Sequence, residues 1–153
     1  MSIFNSINSS ASGLTAQRLR MDTASSNMAN ADSTRATENE DGEWEPYRRK
    51  MVELQPKDQS FSSFLEKAQS GNDSSGKGGV KASEIQDDET PFKQVYNPDH
   101  PDADGEGYVE MPNVDPLKET VDMMSATRSY EANVTSLNAS KGMLMKALEI
   151  GKQ

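Results

Sequence analysis

Apolar residues recur at seven-residue intervals near both ends of the chain. The two series are Ile7, Leu14, Met21 and Met28 near the start, and Met123, Tyr130, Leu137 and Leu144 near the finish. Residues seven apart in an α-helix lie almost above one another, so each series forms an apolar stripe along one helix face. Such a stripe needs a partner helix to cover it. The repeats therefore predict two long terminal helices that serve assembly.

Negative charge is concentrated in the middle of the chain. Residues 1–31 and 116–153 each carry a net charge of +1, whereas residues 32–115 carry −11, within a total of −9. A chain this acidic repels phosphates and anionic lipids, which argues against nucleic acid and membrane surfaces as partners. Only 33% of the 153 residues are hydrophobic, so a single small domain with a modest core is expected. Something besides that core must help to stabilise it.

The chain contains no cysteine, which excludes disulfides, thiolate zinc sites and cysteine nucleophiles. Residues 1–10 lack the basic start and apolar run of a cleavable secretory signal, and no stretch approaches the roughly 18 to 20 apolar residues of a membrane helix. Any export is therefore expected to use another route. The Ser-rich start with Arg18 and Arg20 also loosely resembles an organelle transit peptide, but that alternative leaves the C-terminal repeat unexplained.

The first predicted element is an N-terminal helix over residues 1–31. The interleaved positions of the repeat, which are Ile3, Ser10, Gln17, Ala24 and Ala31, are mostly small or polar, and Gly13 costs about 1 kcal/mol of helix stability relative to Ala. The helix should therefore be marginal when alone. Asn27 and Asn30 are predicted to end it, because Asn tolerates the left-handed backbone conformation that terminates helices.

The second long element is a C-terminal helix within residues 116–153, ending near residue 150. Asp115 can cap its free N–H groups, and Pro116 suits the first helical position. Its predicted seam consists of Met123, Tyr130, Val134, Leu137, Leu144 and Leu148. Other apolar residues lie off this seam, namely Leu117, Val121, Met124, Met143, Met145 and Ile150. An internal helix hairpin explains the seam alone, but a helix that is apolar on several faces is expected to pack against further chains.

Short strands are predicted in the acidic middle at residues 45–54, 80–85, 92–96 and 107–111, separated by turn-forming residues. Residues 69–79 are rich in Gly and Ser and are expected to form a mobile loop. The predicted fold class is therefore α+β. Long N- and C-terminal α-helices pair as a coiled coil, and a small β subdomain with mobile loops is inserted between them over residues 32–115.

The acidic turn around His100, the only histidine, invites a metal-binding interpretation. If Gly105 is aligned with the glycine of an EF-hand loop, Asp102 and Asp104 occupy ligand positions, but Met111 stands where the bidentate Glu is required. A structural turn is the favoured interpretation, with divalent ion binding at residues 99–106 as the alternative. No P-loop and no Gly-x-Ser-x-Gly motif is present. We therefore expect no enzyme activity, no cofactor and no small-molecule substrate.

Several stretches resemble a known family. Residues 11–21 and 25–34 look like the N-terminal signature shared by bacterial flagellar rod, hook and related axial proteins. Residues 96–104, 107–115, 129–134 and 146–152 resemble the proximal-rod members of that family. The residues that carry the resemblance most directly are Ser26, Asn27, Ala29, Asn30, Thr34, Tyr130, Glu131, Ala132 and Asn133.

The resemblance implies a structural subunit of the rod, the drive shaft that transmits torque from the motor to the hook in the flagellar basal body. It also implies export through the flagellar type III apparatus. Implied partners are other rod proteins, further copies of this chain and the protein at the junction of rod base and export gate. Two alternatives remain, a soluble coiled-coil adaptor or export chaperone, which would be a stable and fully helical dimer, and a metal-dependent cell-wall enzyme.

Overall fold

The structure, a computed structural model, describes residues 3–39, 42–57 and 79–151. In chain order its elements are α1 (Ile3–Ala29), β1 (Thr37–Glu38), β2 (Trp44–Glu45), β3 (Lys50–Pro56), β4 (Val80–Asp87), β5 (Lys93–Tyr96), β6 (Tyr108–Met111) and α2 (Pro116–Ile150). Two terminal helices with short strands between them confirm the α+β class. Apart from Gly79, the loop expected at residues 69–79 lies outside the described residues.

The N-terminus of α2 agrees with the sequence prediction. The Asp115 carboxylate accepts a hydrogen bond from the Leu117 N–H (3.1 Å), and Pro116 is the first helical residue. The side chain therefore satisfies one of the N–H groups that the first turn leaves without a helical partner. The 35 residues of α2 correspond to a length of roughly 50 Å.

The end of α1 differs from the prediction. Asn27 lies inside the helix, and among the described residues only glycines adopt a positive φ, so neither Asn27 nor Asn30 is left-handed. Both the backbone N–H and the side-chain amide of Asn30 instead donate to the Ser26 carbonyl, at 3.1 and 2.9 Å. The predicted mechanism of termination was therefore wrong. The Asn30 side chain forms a local hydrogen bond with the preceding turn, and the Asn27 side chain bonds to groups distant in sequence.

The strands form three two-stranded sheets, β1 with β2, β3 with β4 and β5 with β6. The β5–β6 pair is antiparallel, with Lys93 opposite Met111 and Tyr96 opposite Tyr108. Strand β3 begins at residue 50, five residues after the predicted start at residue 45. The reason is that residues 46–49 bind elsewhere: the Tyr47 N–H donates to the Ser33 carbonyl (3.0 Å), and Pro46 has no N–H to offer a ladder.

The chain divides into two compact units. Unit 1 comprises Met1–Leu19, Glu53–Glu84 and Ser125–Gln153, and unit 2 comprises Arg20–Val52 and Ile85–Met124. Few of the described hydrophobic residues are buried: Ala16 and Ala126 in unit 1, and Ala24, Tyr47, Val109 and Val114 in unit 2. The small cores agree with the low hydrophobic content. Within the described part of the chain, neither helix combines the length and the apolar character that a membrane span requires.

Candidate functional site

A group of buried and half-buried polar side chains lies in unit 2, where the end of α1 and the first turns of α2 approach the segment before β3. We call this group the polar cluster; its members are Asn27, Tyr47, Arg49, Asp88, Asn113 and Glu119. Asn27 is 1% exposed and uses both ends of its amide. Its Nδ2 donates to the Lys50 carbonyl (2.8 Å) and to Glu119 Oε2 (2.9 Å). Its Oδ1 accepts from the Tyr47 hydroxyl (3.0 Å) and from the Lys50 N–H (2.9 Å).

The charges of the polar cluster are paired. Arg49 Nε donates to Oε1 of Glu119 (2.6 Å), which is the largest fully buried side chain among the described residues. The same guanidinium reaches Asp88 (3.3 Å) and Asp122 (3.5 Å). Burial alone pushes the pKa of Arg49 down, but the hydrogen bonds and charges of Glu119 and Asp88 leave that pKa above its ordinary value. Arg49 is therefore held in its charged form.

Backbone groups complete the cluster. Asn113 Oδ1 accepts from the Arg49 N–H (2.7 Å), and its Nδ2 donates to the carbonyls of Asp88 (3.1 Å) and Thr90 (3.0 Å). The pKa of Asp88 is lowered, first by hydrogen bonds from the Thr90 hydroxyl and N–H and then by Arg49. Among the described residues, no buried side-chain nitrogen or oxygen lacks a hydrogen-bond partner.

The side chains of the polar cluster already have hydrogen-bond partners within the protein, and this limits the chemistry that they can perform. A catalytic site needs a group that is free to attack or to exchange a proton with a substrate. Here the side chains of Asn27, Arg49 and Glu119 are already hydrogen-bonded to other groups of the protein. The arrangement is that of a clamp, because it fixes α1, the segment before β3 and α2 to one another within unit 2.

A second polar contact joins the segment between α1 and β1 to the turn between β5 and β6. Thr34 Oγ1 donates to Asp102 Oδ2 (2.8 Å), and Arg35 Nε donates to Asp102 Oδ1 (2.6 Å). These bonds, that of Arg35 first, lower the pKa of Asp102, and the interaction raises the pKa of Arg35. The Asp102 N–H donates to His100 Nδ1 (3.1 Å).

The turn that resembled a metal loop is occupied by protein groups. Asp102 serves Thr34 and Arg35, and Asp104 Oδ1 accepts the N–H groups of Glu106 (2.9 Å) and Tyr108 (2.8 Å). Across residues 3–39, 42–57 and 79–151, no three His, Cys, Asp or Glu side chains are grouped so that they could hold a metal ion.

The predicted seam residues occupy intermediate positions. Half-buried are Ile7, Leu14, Met21 and Met28 on α1, and Met123, Tyr130, Val134, Leu137 and Leu144 on α2, whereas Leu148 is 64% exposed. The most buried positions of α2 belong to a different series, Glu119, Ala126 and Ser140, with Asn133 half-buried in the same heptad position. Periodicity of apolar residues does not detect this series, because its members are small or polar.

The residues that carry the family resemblance are dispersed over both units. In unit 2, Asn27 is in the polar cluster, Thr34 binds Asp102, and Asn30 donates to Ser26, while Ser26 and Ala29 are exposed. In unit 1, Asn133 contacts Gly13, since a Cβ on that glycine would lie 3.1 Å from Asn133 Nδ2. Tyr130 is half-buried there, and Glu131 and Ala132 are exposed.

Sequence reasoning missed five members of the polar cluster, Tyr47, Arg49, Asp88, Asn113 and Glu119. One available signal was the position of Glu119, seven residues before Ala126 and on the face that Ala126 shares with Asn133. A charged residue at a buried heptad position requires a partner. Arg49, in a basic run inside an otherwise acidic segment, was a candidate for that partner.

Comparisons with known proteins match both ends of this architecture. Residues 7–37 match the family model described as Flagella basal body rod protein, and residues 106–150 match Flagellar basal body rod FlgEFG protein C-terminal. The chain is 63% identical over 152 residues to the flagellar basal-body rod protein FlgC of Bacillus subtilis, covering 99% of this chain and 100% of that protein. The chain belongs to the FlgC family of flagellar basal-body rod proteins. The FlgC proteins of Borreliella burgdorferi and Escherichia coli O6:H1 are 42% and 41% identical to it, covering 98% and 99% of this chain and 98% and 100% of theirs.

Membership of the FlgC family confirms the central functional prediction. The chain is a structural subunit of the rod in the bacterial flagellar basal body, where it assembles with other rod proteins, and it is not an enzyme. The two family matches cover α1 and α2 almost completely, together with the turn after α1 and strand β6.

Proposed function

We propose that this FlgC-family subunit assembles into the proximal rod through its terminal helices, paired as an antiparallel coiled coil, and that it transmits torque through many contacts with neighbouring subunits. The observation that carries the proposal is the exposure of large apolar residues on α2. They are Leu117 (79%), Val121 (65%), Met124 (51%), Met143 (59%), Met145 (54%), Leu148 (64%) and Ile150 (77%). A helix with this much exposed apolar surface is expected to be covered by other chains.

The pairing of the two helices is supported by contacts that follow a common register. In unit 1 the hydroxyls of Ser6 and Ser140 are 3.3 Å apart, and Gly13 packs on Asn133. In unit 2 Asn27 binds Glu119. From one contact to the next, the α1 position rises by a multiple of seven and the α2 position falls by the same number. That is the relation expected of antiparallel helices with a heptad repeat.

The half-buried seam residues then have a defined role in the proposal. The three contacts named above join small and polar residues, whereas Ile7, Leu14, Met21, Met28 and their counterparts on α2 are half-buried within one chain. Neighbouring subunits would complete their burial. Because little apolar area is buried in the part of the chain that the structure describes, we propose that the terminal segments gain much of their order on assembly.

The proposal also includes the export route of the subunit and the proteins that it contacts. Export through the flagellar type III apparatus and contact with the protein at the junction of rod base and export gate rest on the family resemblance alone. A fully helical adaptor or chaperone is not favoured, since residues 3–39, 42–57 and 79–151 already contain six strands.

The test is complementation of a flagellated host that lacks its own FlgC, with Leu137→Asp as the variant. An unpaired amide or hydroxyl in a dry seam costs roughly 2 to 7 kcal/mol and a carboxylate costs more, so we expect purified basal bodies without rods and cells that do not swim. Ser136→Asp is the matched control, because Ser136 is exposed on the adjacent position of the same helix. Normal swimming by the Leu137→Asp strain, with protein levels equal to the control, would show that the seam is assigned incorrectly.

A further inference from the structure

Charge is distributed unequally between the two units. Unit 2 contains eighteen acidic and seven basic residues, a net charge of −11, whereas unit 1 contains nine basic and seven acidic residues, a net charge of +2. Two copies that met unit 2 to unit 2 would therefore repel each other. A contact between unit 2 of one copy and unit 1 of another brings opposite charges together, and opposite charge steers association and selects the partner.

Unit 2 contains a cleft suited to a cationic side chain. We call it the carboxylate cleft; it has a volume of about 600 Å³ and includes residues from the β1–β2 hairpin and the β5–β6 sheet. Two of its aromatic side chains are open to solvent, Trp44 at 56% and Tyr108 at 42% exposure. The Tyr108 ring is supported from the opposite strand by Tyr96, with ring centroids 5.3 Å apart in an edge-to-face arrangement.

The cleft contains more carboxylates than cationic side chains. Arg35 is the cationic lining residue, and Asp102 already binds it. Glu43, Asp104 and Glu110 also line the cleft, and among the described residues none of these three carboxylates forms an ion pair. Carboxylates beside open aromatic faces favour a guanidinium, which can pair with the former and stack on the latter.

Unit 1 supplies cations of this kind. Arg18 on α1 and Arg128 on α2 are both exposed, and neither has an ion-pair partner among the described residues. Arg18 is the single charged residue of unit 1 before residue 20. A long arginine side chain projecting from a helix can enter a cleft that the helix itself cannot.

We propose that the carboxylate cleft of one subunit receives Arg18 or Arg128 from unit 1 of a second copy, so that copies associate head to tail. This inference rests on the proposed function, because it names one contact within the assembly. A head-to-tail contact uses two different surfaces, and it therefore leaves a free cleft at one end and free arginines at the other. Further copies can add to either end, as the construction of a multi-subunit shaft requires.

The experiment measures self-association of the purified full-length chain by sedimentation at about 50 mM and 500 mM salt. One variant reverses the cleft, Glu43→Arg with Glu110→Arg, and a second reverses the helices, Arg18→Glu with Arg128→Glu. We expect each variant alone to associate at least about tenfold more weakly than the native chain at low salt, because like charges then meet. High salt should weaken the native association, since exposed charges are screened.

An equimolar mixture of the two variants is the decisive sample. The native cleft of one variant meets the native arginines of the other, and the two reversed surfaces also complement each other, so association should return to near the native strength. The control is Glu89→Arg with Glu106→Arg, which changes the charge of unit 2 equally at exposed positions outside the cleft. The strength of self-association of this control should be close to that of the native chain. Circular dichroism at 222 nm checks that every variant remains folded.

Three outcomes would overturn the inference: native-like association of both reversal variants, a mixture no stronger than its components, or a control as weak as the cleft variant. A native chain that remains monomeric at low salt would overturn it too. None of these results affects the proposed function, whose own test is the Leu137→Asp complementation. If that strain swims normally while the charge-reversal results hold, it is the helical seam that fails and not the cleft.

Discussion

The polar cluster makes a strong prediction about the stability of unit 2. Glu119→Gln preserves the shape of the side chain and removes its charge. In the native chain Oε1 accepts from Arg49 (2.6 Å) and Oε2 accepts from Asn27 (2.9 Å). A glutamine has one carbonyl oxygen, so its NH₂ group must face one of these two donors. The variant therefore loses one hydrogen bond and leaves a buried donor without an acceptor.

The magnitude follows from burial. The Glu119 side chain is 2% exposed and that of Arg49 is 9% exposed, and breaking a buried pair by altering one partner costs about 3–5 kcal/mol. Arg49 retains Asp88 and Asp122 at 3.3 and 3.5 Å, which reduces the loss, so we expect about 2–4 kcal/mol. That is a large fraction of the 5–15 kcal/mol total typical of a folded domain.

Urea unfolding followed by circular dichroism measures the change in the free energy of unfolding. Asp122→Asn is the matched control, because it also removes a carboxylate from Arg49, but one that is 39% exposed on the same helix. It should cost at most about 1 kcal/mol. Amide hydrogen exchange at Lys50, whose N–H donates to Asn27 (2.9 Å), should accelerate in Glu119→Gln and remain near native in the control. Equal effects of the two substitutions would refute the view that the cluster acts as a buried clamp.

Three further substitutions test local features of the fold. Gly142→Ala should stabilise α2 by up to about 1 kcal/mol in urea unfolding, because a Cβ there meets nothing within 4 Å and Ala favours the helix; a loss of stability would contradict this. Gly107→Ala should instead destabilise the chain by about 1–2 kcal/mol, because φ is +82° and the new Cβ would lie 3.2 Å from Pro98 Cβ. The pKa of Asp102 is lowered in the folded chain, so the stability that it contributes is complete above its ordinary value of 3.8 and is lost as the pH falls through the lowered pKa. Asp102→Asn should consequently be less stable than the native chain at pH 7 and show a smaller loss between pH 5 and pH 2; an unchanged acid transition would contradict the assignment.

The parts of the fold that the sequence predicted are those with local signals. The start of α2 follows from Asp115 and Pro116, whose capping and φ preference act within one turn. The strands from residue 80 onward were placed to within two residues, because turn-forming residues separate them. The start of β3 was misplaced by five residues, because Tyr47 and Arg49 are positioned by distant groups.

The polar cluster lay beyond such signals for a physical reason. Asn27 and Glu119 are separated by 92 positions in sequence and Arg49 and Glu119 by 70, so no local pattern links them. Hydrophobic periodicity finds a buried face only where burial is apolar. The most buried positions of α2 are Glu119, Ala126 and Ser140, with Asn133 half-buried in the same series, whereas the apolar repeat marks the neighbouring stripe.

The distribution of side chains on α2 has a consequence for a subunit that must both fold and assemble. Its hydrogen bonds to α1 use Glu119 and Ser140, which have little apolar area, whereas Leu117, Val121 and Ile150 remain largely exposed. Hydrophobic burial contributes about 25 cal/mol per Å² wherever it occurs, so apolar area that is left exposed in one chain becomes available between chains. Hydrogen bonds in the polar cluster fix the geometry of the single chain, because each bond is strong only when its donor and acceptor are correctly aligned. On the proposed function, specificity within the subunit and driving force between subunits thus come from different residues of the same helix, and a substitution such as Leu117→Ser should weaken assembly while leaving the unfolding of the isolated chain nearly unchanged.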